Sequence, residues 1–305
     1  MAAVAFLTPL ALIAIIHGWV GASYVGTTLL GLLIVKVVIA RRARTNMRAP
    51  RHSRVPDLSV CIVMPLHNED PDLAVAGVRS MIHQTRPPQR IHVIDDGSSD
   101  DAAASAVEAV LRAEAGRSTG VDWQVTRLPR NVGKRNAMAV GFRAAPHVDV
   151  FLCVDSDTVL DPAAIEHGLR PFGDPEVSAV AGLVMALNWN RNLLTRLIDL
   201  RYTSAFLAER TAYSYFGAVL CCCGSLSFYR ASVIRQHLDD FVDQQFLGQV
   251  ATFGDDRRLT NHALRAGKVV LAEESRAEMA VPERFGHYLR QQVRWNRSFI
   301  RESPL

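Results

Sequence analysis

Residues 58–157 alternate between short apolar runs and stretches with helical periodicity. The runs are "LSVCIVMP" (58–65), "RIHVID" (90–95), "WQVTRLP" (123–129) and "VDVFLCVD" (148–155). Between them lie "DLAVAGVRSMIHQ" (72–84), a helix over about 101–115, and "NVGKRNAMAVGFRAA" (131–145), a glycine turn entering a helix. Strands joined by helical crossovers pair in parallel, so this spacing predicts βαβ units and an α/β fold. In such sheets ligands gather beyond the carboxyl ends of the strands. Two of the runs finish there in carboxylates, at Asp96 and at Asp155-Ser156-Asp157. Side chains two apart on a strand share a face, which would set Asp155 beside Asp157. Like charges that close repel, and each gains by sharing a cation. The pair reads either as a divalent-metal site or as a solvated acidic turn.

The second half has longer elements. "VSAVAGLVMAL" (177–187) predicts a strand. Residues 191–213 predict one long helix, with Leu193, Leu194, Leu197, Leu200 and Phe206 near helical spacing. "GAVLCCCGSLSFYR" (217–230) predicts strand, glycine turn, strand. In "FGDDRRLTNHALRAG" (253–267), Asp255 and Asp256 open a helix, where the N-terminal dipole favours negative charge. The last segment, "RFGHYLRQQVRWNRSFI" (284–300), is basic and amphipathic and suits a membrane surface.

The N-terminal segment belongs to another environment. Residues 3–40 hold one charged side chain, Lys36, and divide into two apolar runs near 4–20 and 24–40. Each is just long enough to span a bilayer as a helix. No basic segment precedes the first run and no small-residue cleavage site follows it, which argues against a signal peptide. Arg41, Arg42, Arg44, Arg48, Arg51 and Arg54 come directly after the second run, and such a cluster stays cytoplasmic. The expectation is a two-helix anchor with basic flank over 1–54, a cytoplasmic catalytic domain over 55–280, and an amphipathic interface helix over 281–305. Most of the net charge of +4 is this flank, so it points to anionic lipid and not to nucleic acid. Of the five cysteines, two lie in strand runs and three are consecutive, a poor basis for a disulfide framework or a zinc site. A nucleotide-binding oxidoreductase would need a glycine fingerprint after the first strand, and "MPLHNEDPD" has none.

Taken in order, "PLHNED" (65–70), "DDGSSDD" (95–101), "GKRNA" (133–137), "DSD" (155–157), "GDDR" (254–257) and "QQVRW" (291–295) resemble the family-2 glycosyltransferases of GT-A fold. Within that family the chain is similar to the processive membrane synthases of hyaluronan, chitin, chitooligosaccharide and cellulose. "NLLTRLIDLRY", "GDDRRLTN" and "QQVRWNRSFIRES" look most like the hyaluronan synthases. The resemblance covers almost the whole chain, from about residue 20 to 304.

The resemblance implies a mixed, mainly parallel sheet and an inverting transfer of sugar from a UDP-sugar to a growing polysaccharide. It implies that Asp157, with Asp155 beside it, holds Mg²⁺ or Mn²⁺ on the diphosphate through hard oxygen ligands. Pro65, His67, Glu69 and Asp96 would meet the nucleotide, Asp96 at the uridine, with helix capping as its alternative. Lys134 and Arg135 would add positive charge near the phosphates. Asp256 would be the general base that takes the acceptor hydroxyl's proton, and Asp255 a helix-capping neighbour. Gln291, Arg294 and Trp295 fall at i, i+3 and i+4, one face of a helix, with Arg294 suited to the diphosphate and Trp295 to a sugar face.

Three departures from the family pattern stand out. His67 replaces a tyrosine that could stack on uracil, and Ser225 replaces the proline of a Gly-Pro-Leu turn. The sequence also ends ten residues after Trp295 without another apolar span. The expectation is then a multi-pass plasma-membrane enzyme that is a truncated or split synthase served by a separate channel-forming chain, or forms a homo-oligomer, or transfers sugar without exporting a polymer. Hyaluronan-type synthesis would use UDP-N-acetylglucosamine and UDP-glucuronate at one site. The alternatives are a chitin-type synthase using UDP-N-acetylglucosamine alone, or a truncated, non-catalytic UDP-sugar-binding membrane protein.

Overall fold

The computed structural model describes residues 24–43, 55–115 and 120–302. The first apolar run and the arginines at 44, 48, 51 and 54 lie outside the described residues. The second run forms helix α1 (Tyr24–Ala43), 20 residues of mean hydropathy 1.7. At about 1.5 Å per residue that length matches a bilayer's hydrocarbon core. Leu29, Leu30, Leu32 and Leu33 are exposed, as in a lipid-facing helix and unlike a core one. Ala40 and Ala43 are buried, and Lys36 pairs with Glu209 at 3.6 Å, which ties the helix to the domain below.

The domain continues through β1 (Val60–Leu66), α2 (Pro71–Ile82), β2 (Arg90–Asp95), α3 (Ala102–Glu114), β3 (Asp122–Arg127), α4 (Lys134–Arg143), β4 (Val150–Cys153), β5 (Thr158–Leu160), α5 (Ala164–Leu169) and β6 (Val177–Ala186). There follow α6 (Leu193–Ser204), a π-helical segment (Ala205–Arg210), α7 (Thr211–Tyr215), β7 (Ser227–Arg230), α8 (Ala231–Gln236), α9 (Leu238–Val242), a β8–β9 hairpin (Gln245–Phe246 and Gln249–Val250), α10 (Asp255–Ala266), β10 (Lys268–Met279) and α11 (Phe285–Glu302). The main sheet runs β3-β2-β1-β4-β7-β6-β10-β5. The pairs β3–β2, β2–β1, β1–β4 and β6–β10 are parallel, and β4–β7, β7–β6 and β10–β5 antiparallel.

All seven residues of β1 are buried, as expected of a central parallel strand covered on both faces. Chain order reverses between β1 and β4, and the cleft beyond their carboxyl ends is the topological switch point at which open α/β sheets bind ligands. Local signals feed it. Asp70 caps α2 by accepting from the amides of Asp72 (2.9 Å) and Leu73 (3.3 Å), with Pro71 at the first helical position.

Three expectations are corrected. The single helix expected over 191–213 is interrupted by the π segment, and of the residues at helical spacing Leu193, Leu197 and Leu200 are exposed while Phe206 is buried. The first half of 217–230 is not a strand. Only Ala218 bridges to Val269, and the amide of Cys222 turns to Thr260 Oγ1 (2.9 Å) instead of entering the ladder. Finally, β4 ends at Cys153, so Asp155 and Asp157 sit in the turn after it. Their proximity comes from that turn and not from strand alternation.

Candidate active site

One cavity of about 840 Å³ opens at the switch point. The strand ends supply Pro65, His67, Glu69, Asp96, Asp155 and Asp157, and α4 supplies Lys134. The far end of the chain closes it, with Asp255 and Asp256 from α10 and Gln291, Arg294 and Trp295 from α11. Of the twelve site residues expected from the sequence, Arg135 alone is missing from the wall.

That absence corrects the expected role of Arg135. Lys134 and Arg135 leave a helix start in different directions, and Arg135 is buried on the side away from the cavity. It donates to Phe241 O (3.0 Å), Gln244 Oε1 (2.6 Å) and Phe253 O (3.3 Å) and lies over the Phe241 ring. A phosphate has no access to it there. Its work is to hold residues 241–253, the segment that leads into Asp255. From the opposite side Arg301 donates to the same Phe253 carbonyl, and Gln244 Nε2 donates to Glu302 Oε1 (2.9 Å). Gly254 completes the junction with φ +82°, and a side chain there would strike Ser298 and Arg301 of α11. The helix carrying Gln291, Arg294 and Trp295 is thereby locked to the helix that starts at Asp255.

Lys134 is the hub on the cavity side. Its Nζ lies 2.5 Å from Asp155 Oδ1 and 3.2 Å from Asp255 Oδ2. Burial opposes its charge, but these carboxylates outweigh burial and hold the ammonium well above its usual pKa. Gly224 passes close by: a Cβ there would meet Lys134 Nζ at 3.1 Å and Asp155 Oδ2 at 3.3 Å. Ser225, in place of the family's proline, donates its hydroxyl to Asp155 Oδ2 (3.1 Å). The substitution thus adds a bond that proline could not make.

The adjacent pair on α10 is split by its surroundings. Burial alone would raise Asp255, yet Lys134 outweighs it and the net pKa is lowered. Asp256 is raised, first by burial and then by the charge of Asp255. Its Oδ1 accepts from the Arg257 amide (2.8 Å), and Oδ2 lies 3.4 Å from the Cys221 thiol. Of two neighbouring carboxylates pushed apart in this way, the higher is the stronger base.

Asp157 has no cation against it among the described residues. Burial, then Asp155 and Glu69, push its carboxyl up to about 7. Glu69 itself accepts from the Ser156 hydroxyl (2.7 Å), which sets the turn. These residues fit a hard divalent cation. Among the described residues no group of three or more His, Cys, Asp or Glu side chains could hold a metal ion, so within them the candidate ligands are the two carboxylates Asp155 and Asp157. Mg²⁺-type sites take one or two carboxylates and complete the shell with substrate phosphates and water.

A pH dependence follows from Asp157. Between the ordinary carboxyl pKa and about 7 the folded, metal-free protein holds a proton that the unfolded chain does not, so its stability falls as pH rises through that window. A metal must displace that proton. Mn²⁺ affinity measured by calorimetry is expected to be about tenfold weaker at pH 6 than at pH 8. Equal affinities at the two values would remove Asp157 from the ligand set.

The remaining residues are placed as follows. Asp96 is buried and accepts the Val132 amide (2.7 Å), so it braces the loop entering α4 and does not cap α3. His67 is exposed at the rim beside Asn68, whose side-chain Oδ1 accepts from the Ser99 amide (2.8 Å) and hydroxyl (2.9 Å). Trp295 lies 6.4 Å from the Tyr202 ring, and Gln291 Oε1 is buried without a partner. Residues to which the motifs gave no role in the site are Asp255 as an ion-pair partner, Arg210, and the cysteines 221 and 223, and Ser225 stood out only as a departure from the family's turn. The doubled acid of "GDDR" and the missing proline were the signals available among them.

The model of the family described as "Glycosyl transferase family 2" matches residues 61–238. Hyaluronan synthase of Streptococcus pyogenes is 39% identical over 283 residues, 93% of this chain and 66% of that protein. An N-acetylglucosaminyltransferase of Rhizobium leguminosarum bv. viciae is 38% identical over 252 residues, 82% of this chain and 58% of that protein. The chain therefore spans about two thirds or less of the length of these relatives. Among solved structures, the mannosyltransferase PcManGT from Pyrobaculum calidifontis, in complex with GDP-Man and Mn²⁺, superposes with a TM-score of 0.63 at 18% identity, covering 90% of this chain and 72% of that one. At that identity the likeness is one of fold, the GT-A architecture. With its matched family model spanning more than half the sequence and its motif residues gathered around one cleft, this chain belongs to glycosyl transferase family 2.

Proposed function

We propose that the protein is a membrane-anchored, metal-dependent, inverting glycosyltransferase of hyaluronan-synthase type. It would pass sugar from UDP-N-acetylglucosamine and UDP-glucuronate to a growing polysaccharide. The observation that carries this reading is the convergence in one cavity of the Asp155–Asp157 turn, Lys134, Asp256 and the Gln291-Arg294-Trp295 face. The relatives at 38–39% identity support the substrate class.

Asp157 and Asp155 would hold Mg²⁺ or Mn²⁺, which when bound neutralises charge on the diphosphate leaving group. Lys134 keeps Asp155 oriented, and Arg294 offers a fork to the diphosphate. Pro65, His67, Glu69 and Asp96 line the nucleotide end, and Trp295 gives the acceptor sugar a flat face. Asp256 Oδ takes the proton from the acceptor hydroxyl as that oxygen attacks the anomeric carbon opposite UDP. One displacement inverts the centre and yields a β-linkage from an α-linked donor.

Helix α1 and the exposed apolar side chains of α11, among them Phe285, Leu289 and Val293, support a reading in which the cavity would face a cytoplasmic membrane surface. One described span cannot enclose a polymer, so export calls on further helices of the chain, a second copy or a separate channel-forming chain.

The test is UDP release by membranes carrying the protein with Mn²⁺ or Mg²⁺, offering the two donors singly and together. Sustained release that needs both donors is the expected result. Sustained release from UDP-N-acetylglucosamine alone would move the assignment to a chitin-type synthase, which the N-acetylglucosaminyltransferase likeness favours as the second reading. No release from protein that still binds UDP would leave a nucleotide-sugar-binding protein without transfer.

A further inference from the structure

Three guanidinium groups line the cavity in addition to Lys134: Arg210, Arg257 and Arg294. Lys134 is already matched by Asp155 and Asp255. Arg294 shares its helical face with Gln291 and Trp295, and Arg257 lies over the Phe299 ring at 5.0 Å. Arg210 is held differently. It closes the π-helical segment, and its guanidinium stacks 3.8 Å from the centroid of Phe206, itself only 3% exposed. Single π turns are rare within helices and frequently accompany functional sites.

Among the described residues Arg210 has no paired counter-charge. The adjacent acid, Glu209, is engaged by Lys36 of α1. No hydrogen bond or ion pair joins the Arg210 guanidinium to a carboxylate among the described residues. The nearby wall is made of Cys221 and Cys223, neutral thiols that burial pushes up despite the Arg210 charge. A rigid cation facing a cavity, with neutral sulfur beside it, lowers the energy of an anion brought there. On the transferase reading a divalent cation and Arg294 would serve the diphosphate, so the anion that remains to be matched would belong to the sugar.

We propose that Arg210 reads the carboxylate of a uronic-acid sugar in this cavity and carries the distinction between acidic and neutral sugars. The inference rests on the transferase reading above. A guanidinium can stack on Phe206 with its face while its edge takes a carboxylate in bidentate fashion, which a lysine cannot reproduce. The carboxylate could belong to the donor's sugar or to a terminal uronosyl unit of the acceptor.

The test compares full-length wild type, Arg210→Gln and Arg210→Lys in membranes. The donor arm measures UDP release from UDP-glucuronate and from UDP-N-acetylglucosamine. The acceptor arm uses short oligosaccharides ending in glucuronate or in N-acetylglucosamine. Expected in Arg210→Gln is a loss of kcat/KM on the uronate member of one pair about ten- to a hundredfold greater than on its neutral member. Arg210→Lys should fall between the two. Equal losses on acidic and neutral members, or no loss at all, would overturn the proposal. Calorimetric binding of UDP-glucuronate and of a glucuronate-ended oligosaccharide keeps the two readings separable. Wild type that binds either uronate ligand more tightly than Arg210→Gln does, yet releases no UDP, would keep Arg210 and overturn the transferase reading.

Discussion

Asp256→Asn is expected to lower sugar transfer by about 10²–10⁴-fold, the usual contribution of a general base, while UDP binding and melting temperature stay near wild type. The reason is local. Asp256 is half-buried on the first turn of α10, and burial together with Asp255 makes its carboxylate a stronger base than an exposed one. Asparagine keeps the size of the side chain and a carbonyl for the Arg257 amide. Removing the charge also relieves the repulsion with Asp255, so no large stability loss accompanies it. The Asp255→Asn variant is the informative contrast. Asp255 is the partner of Lys134, so its loss should disturb folding and donor affinity more than proton transfer. UDP release and thermal unfolding of both variants decide the matter. Transfer within threefold of wild type in Asp256→Asn would dismiss it as the base.

The second large effect is expected from Lys134→Met. Its ammonium holds apart Asp155 and Asp255, with Asp256 close behind. Without it these carboxylates face one another in a partly desolvated cleft. Breaking a buried pair costs about 3–5 kcal/mol. Because the Lys134 side chain is 38% exposed, solvent screening reduces this to about 2–3 kcal/mol, a melting shift of about 5–10 °C. Asp255 has a lowered folded-state pKa, so its contribution is present above the ordinary carboxyl pKa and is lost as pH falls through the folded value. The gap between wild type and Lys134→Met should therefore be wide at pH 7 and close toward pH 3. Thermal unfolding in detergent at several pH values reads it, and a pH-independent gap would assign the loss to packing. Transfer should fall at least tenfold in parallel, because Asp155 loses the partner that orients it.

Much of the parallel half was legible from residues alone. The runs at β1, β2, β3 and β4 are apolar, short and separated by helical periodicity, and that pattern has one common solution. The carboxylates at their ends were legible for the same reason: a charge directly after a buried strand has nowhere to go but the cleft. The 191–213 region was harder to read. Leu193, Leu197 and Leu200 have helical spacing, but periodicity reports only that a face is apolar and not what covers it. The π segment leaves no mark in the spacing of apolar residues; it lies beside the buried Phe206 and the bond from Thr211 Oγ1 to Glu273 Oε1 (2.6 Å), a contact between distant elements.

Arg135 shows the limit most clearly. "GKRNA" presents two basic residues at one helix start, and nothing in their spacing separates their roles. Consecutive helical positions point about 100° apart, so only one of them can face the cleft. Which one is decided by where the 241–253 segment supplies carbonyls, and that segment lies more than a hundred residues away.

By itself, then, the sequence determined the α/β layout, an apolar helix long enough to span a bilayer, and an ordered set of acidic and basic motifs. Those properties depend on neighbours within a few residues, through periodicity, capping and charge. Tertiary structure alone decided that Asp155 and Asp255 share one lysine, that Asp256 is raised by its surroundings, and that Arg210 lines the cavity with no ion-pair partner among the described residues. Each of those depends on burial and on charges brought together from distant elements, and electrostatic energy is set by distance in space and local desolvation, not by distance along the chain.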